Sequence, residues 1–137
     1  MDLYAETILD HYRHPRCKDI LSSSSVTHAE RNPACGDALT IQLFIEHRCI
    51  SAIGWSGDGC AISQASMSML AEHIQQMPIE EVAALRREDI VSMLGVPVGE
   101  RRIKCALLSL HAVQNSLHTA FNNPLQDWIK TVEKRDK

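Results

Sequence analysis

The sequence lacks the features that mark nucleic-acid-binding and membrane proteins. No run of lysine and arginine is longer than two residues, and 17 acidic residues outnumber 14 basic ones, for a net charge of -3. Because binding to a phosphate backbone relies on clustered basic residues, no nucleic-acid partner is expected. No apolar run approaches the roughly 18 residues that span a bilayer, and the N-terminus lacks the apolar core of a signal peptide. We therefore predict a cytoplasmic protein without membrane association.

Internal repeats, linkers and C-x-x-C pairs are missing as well. A single domain covering residues 1–137 is therefore predicted. A chain of this length buries roughly two thirds of the surface that it exposes when unfolded, so it needs no metal or disulfide merely to fold. Its five cysteines are an odd number. In a reducing compartment they are more typical of metal ligands or reactive thiols than of a disulfide framework.

The hydrophobic pattern predicts an α+β fold. Apolar residues alternate over residues 39–46, which predicts a strand, and 49–55 is its expected hairpin partner. Residues 16–31 show no periodicity and are predicted to be a loop or a poorly held edge segment. Helical spacing is found in residues 2–14, 62–77, 78–85, 90–94, 103–121 and from 124 onward. We expect a small antiparallel sheet of two or three strands packed against about four to six helices.

Three cysteines lie where the chain is expected to turn or to begin a helix. Cys35 lies in a turn rich in Pro, Gly and Asp, Cys60 follows a Gly-rich stretch before a helix, and Cys105 is predicted in the first turn of the long helix. Helix N-termini and neighbouring cations such as Lys104 stabilise a thiolate. The spacings of 25 and 45 residues match no zinc finger, so inert packing stays open for each cysteine.

Four separated motifs surround these cysteines and the first helix. They read ILDHYRHPR (8–16), NPACGD (32–37), GDGCAISQASMSML (57–70) and RRIKCALLSL (101–110). Together they resemble the U-type proteins of iron–sulfur cluster biogenesis, which are the IscU, SufU and NifU N-terminal family. The resemblance covers nearly the whole chain and implies the IscU/SufU-like fold, with a three-cysteine site at one end.

The resemblance also implies the members of that site. The implied metal ligands are Cys35, Asp37, Cys60 and Cys105. Three thiolates and a carboxylate suit tetrahedral zinc. Lys104 and Arg102 are available to offset the excess negative charge of such a shell. The same residues could instead hold a [2Fe-2S] cluster or iron, with the carboxylate making the cluster labile.

Two branches of the family differ near the third cysteine. Lys104 stands where the scaffold branch has histidine, and residues 96–100 (VPVGE) do not match its Leu-Pro-Pro-Val-Lys chaperone segment, so the motifs resemble the SufU branch. In contrast, SufU-like proteins usually carry an insertion before the third cysteine, and the 44 residues between Cys60 and Cys105 leave no room for it.

The resemblance to SufU favours a sulfur relay. Cys35 is the expected acceptor of persulfide sulfur from a pyridoxal-phosphate-dependent cysteine desulfurase of the SufS or IscS type, and Cys105 is the alternative acceptor. Downstream cluster-assembly or acceptor proteins would receive the sulfur. A scaffold for a transient [2Fe-2S] cluster is the alternative function. A cysteine hydrolase that uses Cys60 is a third, but no motif ties a histidine base to it.

The remaining candidate residues are expected to be peripheral. His111 and His118 are predicted to be exposed on the long helix. For His11 and His14, a solvated position on the first helix and a role as partners of a catalytic cysteine are equally compatible with the sequence. Trp55 is either a core residue or a surface anchor. Cys17 and Cys49 are predicted to be structural or incidental.

Overall fold

The computed structural model describes residues 3–33 and 36–133, so Ala34 and Cys35 lie outside the described residues. The described part contains six helices and three strands. The helices are α1 (Leu3–Arg13), α2 (Ala61–Ile74), α3 (Ile79–Ala84), α4 (Arg87–Leu94), α5 (Glu100–Ala120) and α6 (Trp128–Val132). The strands are β1 (Val26–Arg31), β2 (Ala38–Glu46) and β3 (Cys49–Asp58). The predicted α+β class is confirmed.

The three strands form an antiparallel sheet in the order β1-β2-β3. Alternation along β2 places Leu39, Ile41 and Leu43 on the inner face, where each is at most 1% exposed. His47 and Arg48 connect β2 to β3 with φ values of 52° and 59°. Two successive positive φ angles are typical of the tight turns whose twist matches that of the flanking strands. The predicted hairpin is therefore confirmed, although β3 runs three residues past the predicted end, to Asp58.

The segment 16–31 differs in part from its prediction. Its last six residues form β1, an ordered edge strand whose inward positions include His28 and Glu30. His28 Nε2 lies 2.7 Å from Glu30 Oε2, and the same oxygen accepts a hydrogen bond from Asn115 Nδ2 on α5 at 2.9 Å. Because these inward side chains are polar, β1 carries no alternating hydrophobic signal in the sequence.

Helix α5 is the central element of the fold. It packs against α2, the sheet, α4 and α6, and its residues from Ala106 to Leu117 are all buried. Ser66 Oγ of α2 donates to the Ala106 carbonyl at 3.0 Å and lies 3.0 Å from Ser109 Oγ. Small, satisfied polar side chains at this contact allow the two helices to approach closely. This contact fixes the relative positions of Cys60, at the N-terminus of α2, and Cys105, near the N-terminus of α5.

Two helix boundaries differ from the prediction. Helix α5 begins at Glu100, three residues before the expected start at Ile103, because its first turn is polar and adds nothing to the apolar stripe. Cys105 consequently lies in the second turn. The last helix begins at Trp128, and Leu125, which was expected on it, is 56% exposed.

Burial of several polar side chains also corrects the sequence analysis. His111 is 4% exposed, with Nδ1 2.8 Å from Thr131 Oγ1 and its ring edge-on to Trp128. His118 is half-buried, and His11 is buried with Nδ1 2.8 Å from Ser68 Oγ. The prediction of exposure was wrong for His111 because α6 covers the side of α5 that periodicity assigns to solvent.

Trp55 is a core residue. It is 1% exposed, and its indole Nε1 donates to the Arg16 carbonyl at 2.8 Å. Nearby, the half-buried Cys17 accepts a hydrogen bond from Gln75 Nε2 at 2.8 Å, and burial raises the pKa of this thiol. A raised pKa suits a structural cysteine more than a reactive one.

Within residues 3–33 and 36–133, no helix combines the length and apolar character needed to cross a membrane.

Candidate metal centre

The structure brings together three of the four implied ligands. Asp37 immediately precedes β2, Cys60 immediately precedes α2, and Cys105 lies in the second turn of α5. One ligand atom from each residue lies within 4.8 Å of the other two. These residues are far apart in sequence, so the contact depends entirely on the fold.

The register of the hairpin places Asp37 beside the start of α2. Ala38 at the start of β2 pairs with Asp58 at the end of β3, so the residues just outside the pair are neighbours. Gly57 permits this close approach, since its φ is 153° and a Cβ there would overlap the Ala38 carbonyl oxygen. A single residue, Gly59, then connects the end of β3 at Asp58 to Cys60.

The loop before β2 fixes the backbone of Asp37. The Asn32 N–H donates to the Asp37 carbonyl at 2.7 Å, and the Gly36 N–H donates to the Asn32 carbonyl at 2.8 Å. Gly36 has a φ of 82°, which a residue with a side chain adopts only at a cost, and Arg31 Nη1 donates to its carbonyl at 3.0 Å. This loop is the NPACGD motif, so Cys35 is within it in sequence but outside the described residues.

The N-terminus of α2 faces the Asp37 carboxylate. The Cys60 N–H donates to Asp37 Oδ2 at 3.3 Å, and Ser63 Oγ donates back to the Cys60 carbonyl at 3.1 Å. Cys60 is the N-cap residue of this 14-residue helix and is exposed. The positive end of the helix dipole therefore lies beside the carboxylate and the thiol, where it favours negative charge.

The cations near Cys105 are placed by the pitch of α5. Residues three or four apart share a face of a helix, so Arg101 and Arg102 are the neighbours of Cys105 along its surface. Both arginines are exposed, whereas Lys104 is half-buried and projects about 100° around the helix from Cys105. The predicted roles of Arg102 and Lys104 in charge balance stay predictions, and the helical geometry favours Arg102.

The chemistry of the donor set fits a borderline-soft metal such as zinc. A tetrahedral zinc ion with Zn–S near 2.3 Å and Zn–O near 2.1 Å holds its ligand atoms about 3.5–3.8 Å apart. The observed spread of up to 4.8 Å is therefore only about 1 Å wider than a closed shell requires. Cys60 and Cys105 supply two sulfurs and Asp37 one oxygen, which leaves one tetrahedral position. The resemblance assigns that position to Cys35.

These observations define a class of protein: a small α+β domain in which two cysteines and an aspartate that could hold a metal ion lie where a β-hairpin meets the N-terminal turns of two helices. Residues 3–124 match the NifU-like N terminal domain. The chain belongs to this family, which confirms the resemblance seen in its motifs.

Named relatives include both branches of the family. The zinc-dependent sulfurtransferase SufU of Bacillus subtilis (strain 168) is 31% identical over an alignment of length 132, in which 84% of this chain and 89% of SufU are covered. The iron–sulfur cluster assembly scaffold protein IscU of Aquifex aeolicus is 33% identical over 124 residues, which cover 89% of this chain and 76% of IscU.

A solved structure supports the fold. The N-terminal part of a nitrogen-fixing NifU-like protein from Brucella abortus has a TM-score of 0.73 with this chain, covering 89% of it and 96% of the Brucella chain. The two sequences are 19% identical, so this likeness concerns the fold alone.

Sequence reasoning missed how Asp37 is held. The hydrogen bond from Cys60 N–H and the packing of Gly59 against Asp37 are visible only once β2 and β3 are paired. The sequence contains one signal for this arrangement, which is the pair of glycines in Gly57-Asp58-Gly59-Cys60. A simple turn into a helix does not require two glycines so close together.

Proposed function

We propose that this protein works in iron–sulfur cluster assembly as a zinc-bearing sulfur acceptor. The observation that carries the proposal is the approach of Asp37, Cys60 and Cys105 within 4.8 Å of one another. Membership in the NifU-like N terminal domain family and similarity to a zinc-dependent sulfurtransferase support the proposal of zinc binding and sulfur acceptance.

Cys60, Cys105 and Asp37 would hold the zinc ion, with Cys35 as the proposed fourth ligand. Zinc bound there would keep the cysteine ligands deprotonated at neutral pH. Asp37 accepts a hydrogen bond from the Cys60 N–H on Oδ2, and its carboxylate would supply one oxygen to the metal. The positive end of the α2 dipole would share this carboxylate with the metal, which would make Asp37 a weaker ligand than the thiolates.

Sulfur acceptance is a thiol exchange. The Cys35 thiolate attacks the terminal sulfur of a persulfide on the donor protein, forming a new S–S bond, while the bond to the donor cysteine breaks. The donor leaves as a thiolate, and the proton of the terminal sulfur stays on it, so no external oxidant or reductant is needed. Cys105 is the alternative acceptor.

The proposed partners follow from this reaction. The donor is a pyridoxal-phosphate-dependent cysteine desulfurase, and the recipient is a downstream cluster-assembly or acceptor protein. Lys104, which has no lone pair to offer when protonated, serves charge balance rather than ligation in this proposal.

Anaerobic incubation with a cysteine desulfurase, cysteine and ferrous iron tests the proposal. Zinc content, visible absorbance and intact mass are followed together. We expect the zinc to stay bound, the mass to rise by one sulfur atom and no chromophore to form. Cys35→Ala should lose the added sulfur, and the matched control Cys49→Ala should keep it. If neither Cys35→Ala nor Cys105→Ala loses the sulfur, the relay is refuted.

The second candidate function is a scaffold for a transient [2Fe-2S] cluster. The observation that favours it is the short connection between α4 and α5, which consists of residues 95–99 and contains no insertion. The likeness to the Aquifex scaffold protein is compatible with it. In the same incubation, a scaffold would release zinc and gain an iron–sulfur chromophore that depends on Cys35, Cys60 and Cys105.

A further inference from the structure

The Asp37 carboxylate occupies the space in which a side chain at Gly59 would lie. A Cβ atom built on Gly59 would be 2.8 Å from Asp37 Cγ and 3.0 Å from Asp37 Oδ2, and it would also overlap Ser63 Oγ. Carbon atoms in proteins normally approach to about 3.5–4.0 Å, so no side chain fits at this position while Asp37 stays where it is.

The backbone at Gly59 does not itself require glycine. The glycines with positive φ among the described residues are Gly36, Gly57 and Gly95, and Gly59 is not one of them. An alanine at Gly59 therefore costs no left-handed strain, in contrast to one at Gly57. The reason for glycine here is the space beside Asp37 and Ser63.

Asp37 can make room for a methyl group only by turning its side chain. Its backbone is fixed by the Asn32 N–H bond at 2.7 Å and by the pairing of Ala38 with Asp58. Rotation would break the hydrogen bond from the Cys60 N–H to Oδ2 and move the carboxylate away from the sulfurs of Cys60 and Cys105.

We propose that Gly59 is a positioning residue for the metal centre: its missing side chain lets the Asp37 carboxylate reach the N-terminus of α2 and act as a ligand beside Cys60 and Cys105. The inference rests on the proposed metal site and adds a residue that is not itself a ligand. Its effect on the metal passes entirely through Asp37.

A double-mutant cycle with cobalt(II) tests this dependence. Cobalt is titrated into metal-free wild type, Gly59→Ala, Asp37→Ala and the double variant, and the dissociation constant and the d–d spectrum are read together. Loss of a neighbour that orients a ligand costs about 10- to 100-fold in metal affinity. We expect Gly59→Ala to weaken binding by about 10-fold, never beyond Asp37→Ala, with the same d–d shift in both variants.

The double variant decides the outcome. If Gly59 acts through Asp37, adding Gly59→Ala to Asp37→Ala changes the dissociation constant by less than about twofold, because the two changes remove the same interaction. If the two effects multiply instead, Gly59 acts through the backbone or the helix, and the inference is wrong. Sulfur-to-cobalt absorption should keep its intensity in every variant, since the thiolates are untouched.

Two further variants separate Asp37 from the other contacts. Gly99→Ala is the matched control, because Gly99 also lies at the start of a helix and a Cβ there meets no atom within 4 Å. It should bind cobalt like wild type. Ser63→Ala removes the other overlap at Gly59, and the Gly59→Ala/Ser63→Ala variant should stay weak. Recovery of affinity in that variant would overturn the inference.

Folding gives a second reading of the same contact. If Gly59→Ala does not fold, Gly59→Ala/Asp37→Gly should restore folding and Gly59→Ala/Ser63→Ala should not; the reverse result would assign the overlap to Ser63.

Hydrogen exchange of the Cys60 amide in the metal-free protein adds a measurement that does not depend on metal. Protection should fall in both Asp37→Ala and Gly59→Ala, and retained protection in either would contradict the inference. Failure of wild type to bind any metal would refute the proposed metal site and with it the role of Gly59 in metal binding. Metal binding by wild type that Gly59→Ala leaves unchanged would refute the role of Gly59 alone.

Discussion

Two buried histidines should make the stability of this fold depend on pH just below neutrality. His11 and His111 are 6% and 4% exposed, and burial is the main cause that lowers the pKa of each below its ordinary value of 6.5. Nδ1 of each ring is hydrogen-bonded to a hydroxyl, that of Ser68 for His11 and that of Thr131 for His111. Carboxylates lie farther from Nε2, with Glu72 at 3.8 Å from His11 and Glu30 at 3.4 Å from His111. Neutral imidazole is therefore the form that the folded protein accommodates.

The direction of the effect follows from proton counting. Below pH 6.5 the unfolded chain protonates both histidines, while the folded protein resists protonation until the pH reaches its lower pKa values. The stability that each group contributes is complete above the unfolded pKa and is lost as the pH falls from there toward the folded pKa. One histidine changes the free energy of unfolding by at most about 1.4 kcal/mol per pH unit, and two by at most about 2.7.

Neighbouring charges modify the value for His111 without reversing it. Glu30 Oε1 lies 3.4 Å from His111 Nε2 and raises the pKa, as Asp127 does, while His28 lowers it. Burial outweighs the two carboxylates, so the net direction stays downward. Stability must be measured at pH values above those at which exposed carboxylates titrate, because their protonation would add to the slope. Glu80 is such a carboxylate, and its pairing with Arg48 lowers its pKa.

Urea unfolding at a series of pH values between about 7 and 5.5 measures this slope. The variant His111→Gln should be less stable than wild type at every pH, but its slope should be smaller by up to about 1.4 kcal/mol per pH unit. His73→Gln is the control, because His73 lies on α2 and is exposed. An unchanged slope in His111→Gln would refute the argument from burial, whatever the absolute stabilities are.

Two other substitutions test the packing that positions the site. Gly57→Ala places a methyl group against the Ala38 carbonyl and Leu39 at a φ of 153°, and we expect a loss of more than about 2 kcal/mol in the free energy of unfolding. Gly99→Ala, where the new methyl meets open space, should change stability by less than about 1 kcal/mol, and equal losses would contradict the reasoning. Trp55→Phe keeps most of the buried ring but removes the donor to the Arg16 carbonyl, so thermal or urea unfolding should show a loss of about 1–3 kcal/mol; no loss would mean that water replaces the indole.

The strands could be predicted from the sequence where the alternation of apolar and polar residues matches the buried and exposed faces of the sheet. In β2, alternation of Leu39, Ile41 and Leu43 with polar residues reports directly on one buried face. β1 escaped prediction because its inner positions His28 and Glu30 are matched by polar side chains of α5, including Asn115. A pattern of hydrophobic residues cannot report a buried face whose partners are hydrogen bonds.

Helix α5 illustrates a second limit. Its apolar stripe begins at Ile103, so the polar first turn from Glu100 was invisible to periodicity and Cys105 was assigned to the wrong turn. His111 was expected to be exposed because the sequence pattern predicts a last helix but does not show which face of α5 that helix covers. The first error concerns where α5 begins and the second which element covers it, while the helix itself was predicted.

The candidate site was reached through its motifs. Spacings of 25 and 45 residues between cysteines have no meaning until the hairpin register and the α2–α5 contact are known. Turn chemistry singled out Cys60, and the resemblance supplied Asp37 as its neighbour. The hydrogen bond that joins these two residues required the paired strands.

The metal content of the purified protein tests the central claim most directly. Zinc is quantified per chain, and its X-ray absorption is recorded for wild type and for Cys60→Ala. The proposed site predicts one zinc ion per chain with sulfur at about 2.3 Å and one lighter oxygen ligand, and a loss of sulfur scattering in Cys60→Ala. A protein that retains no zinc, or one whose zinc is surrounded only by nitrogen and oxygen, would contradict the account.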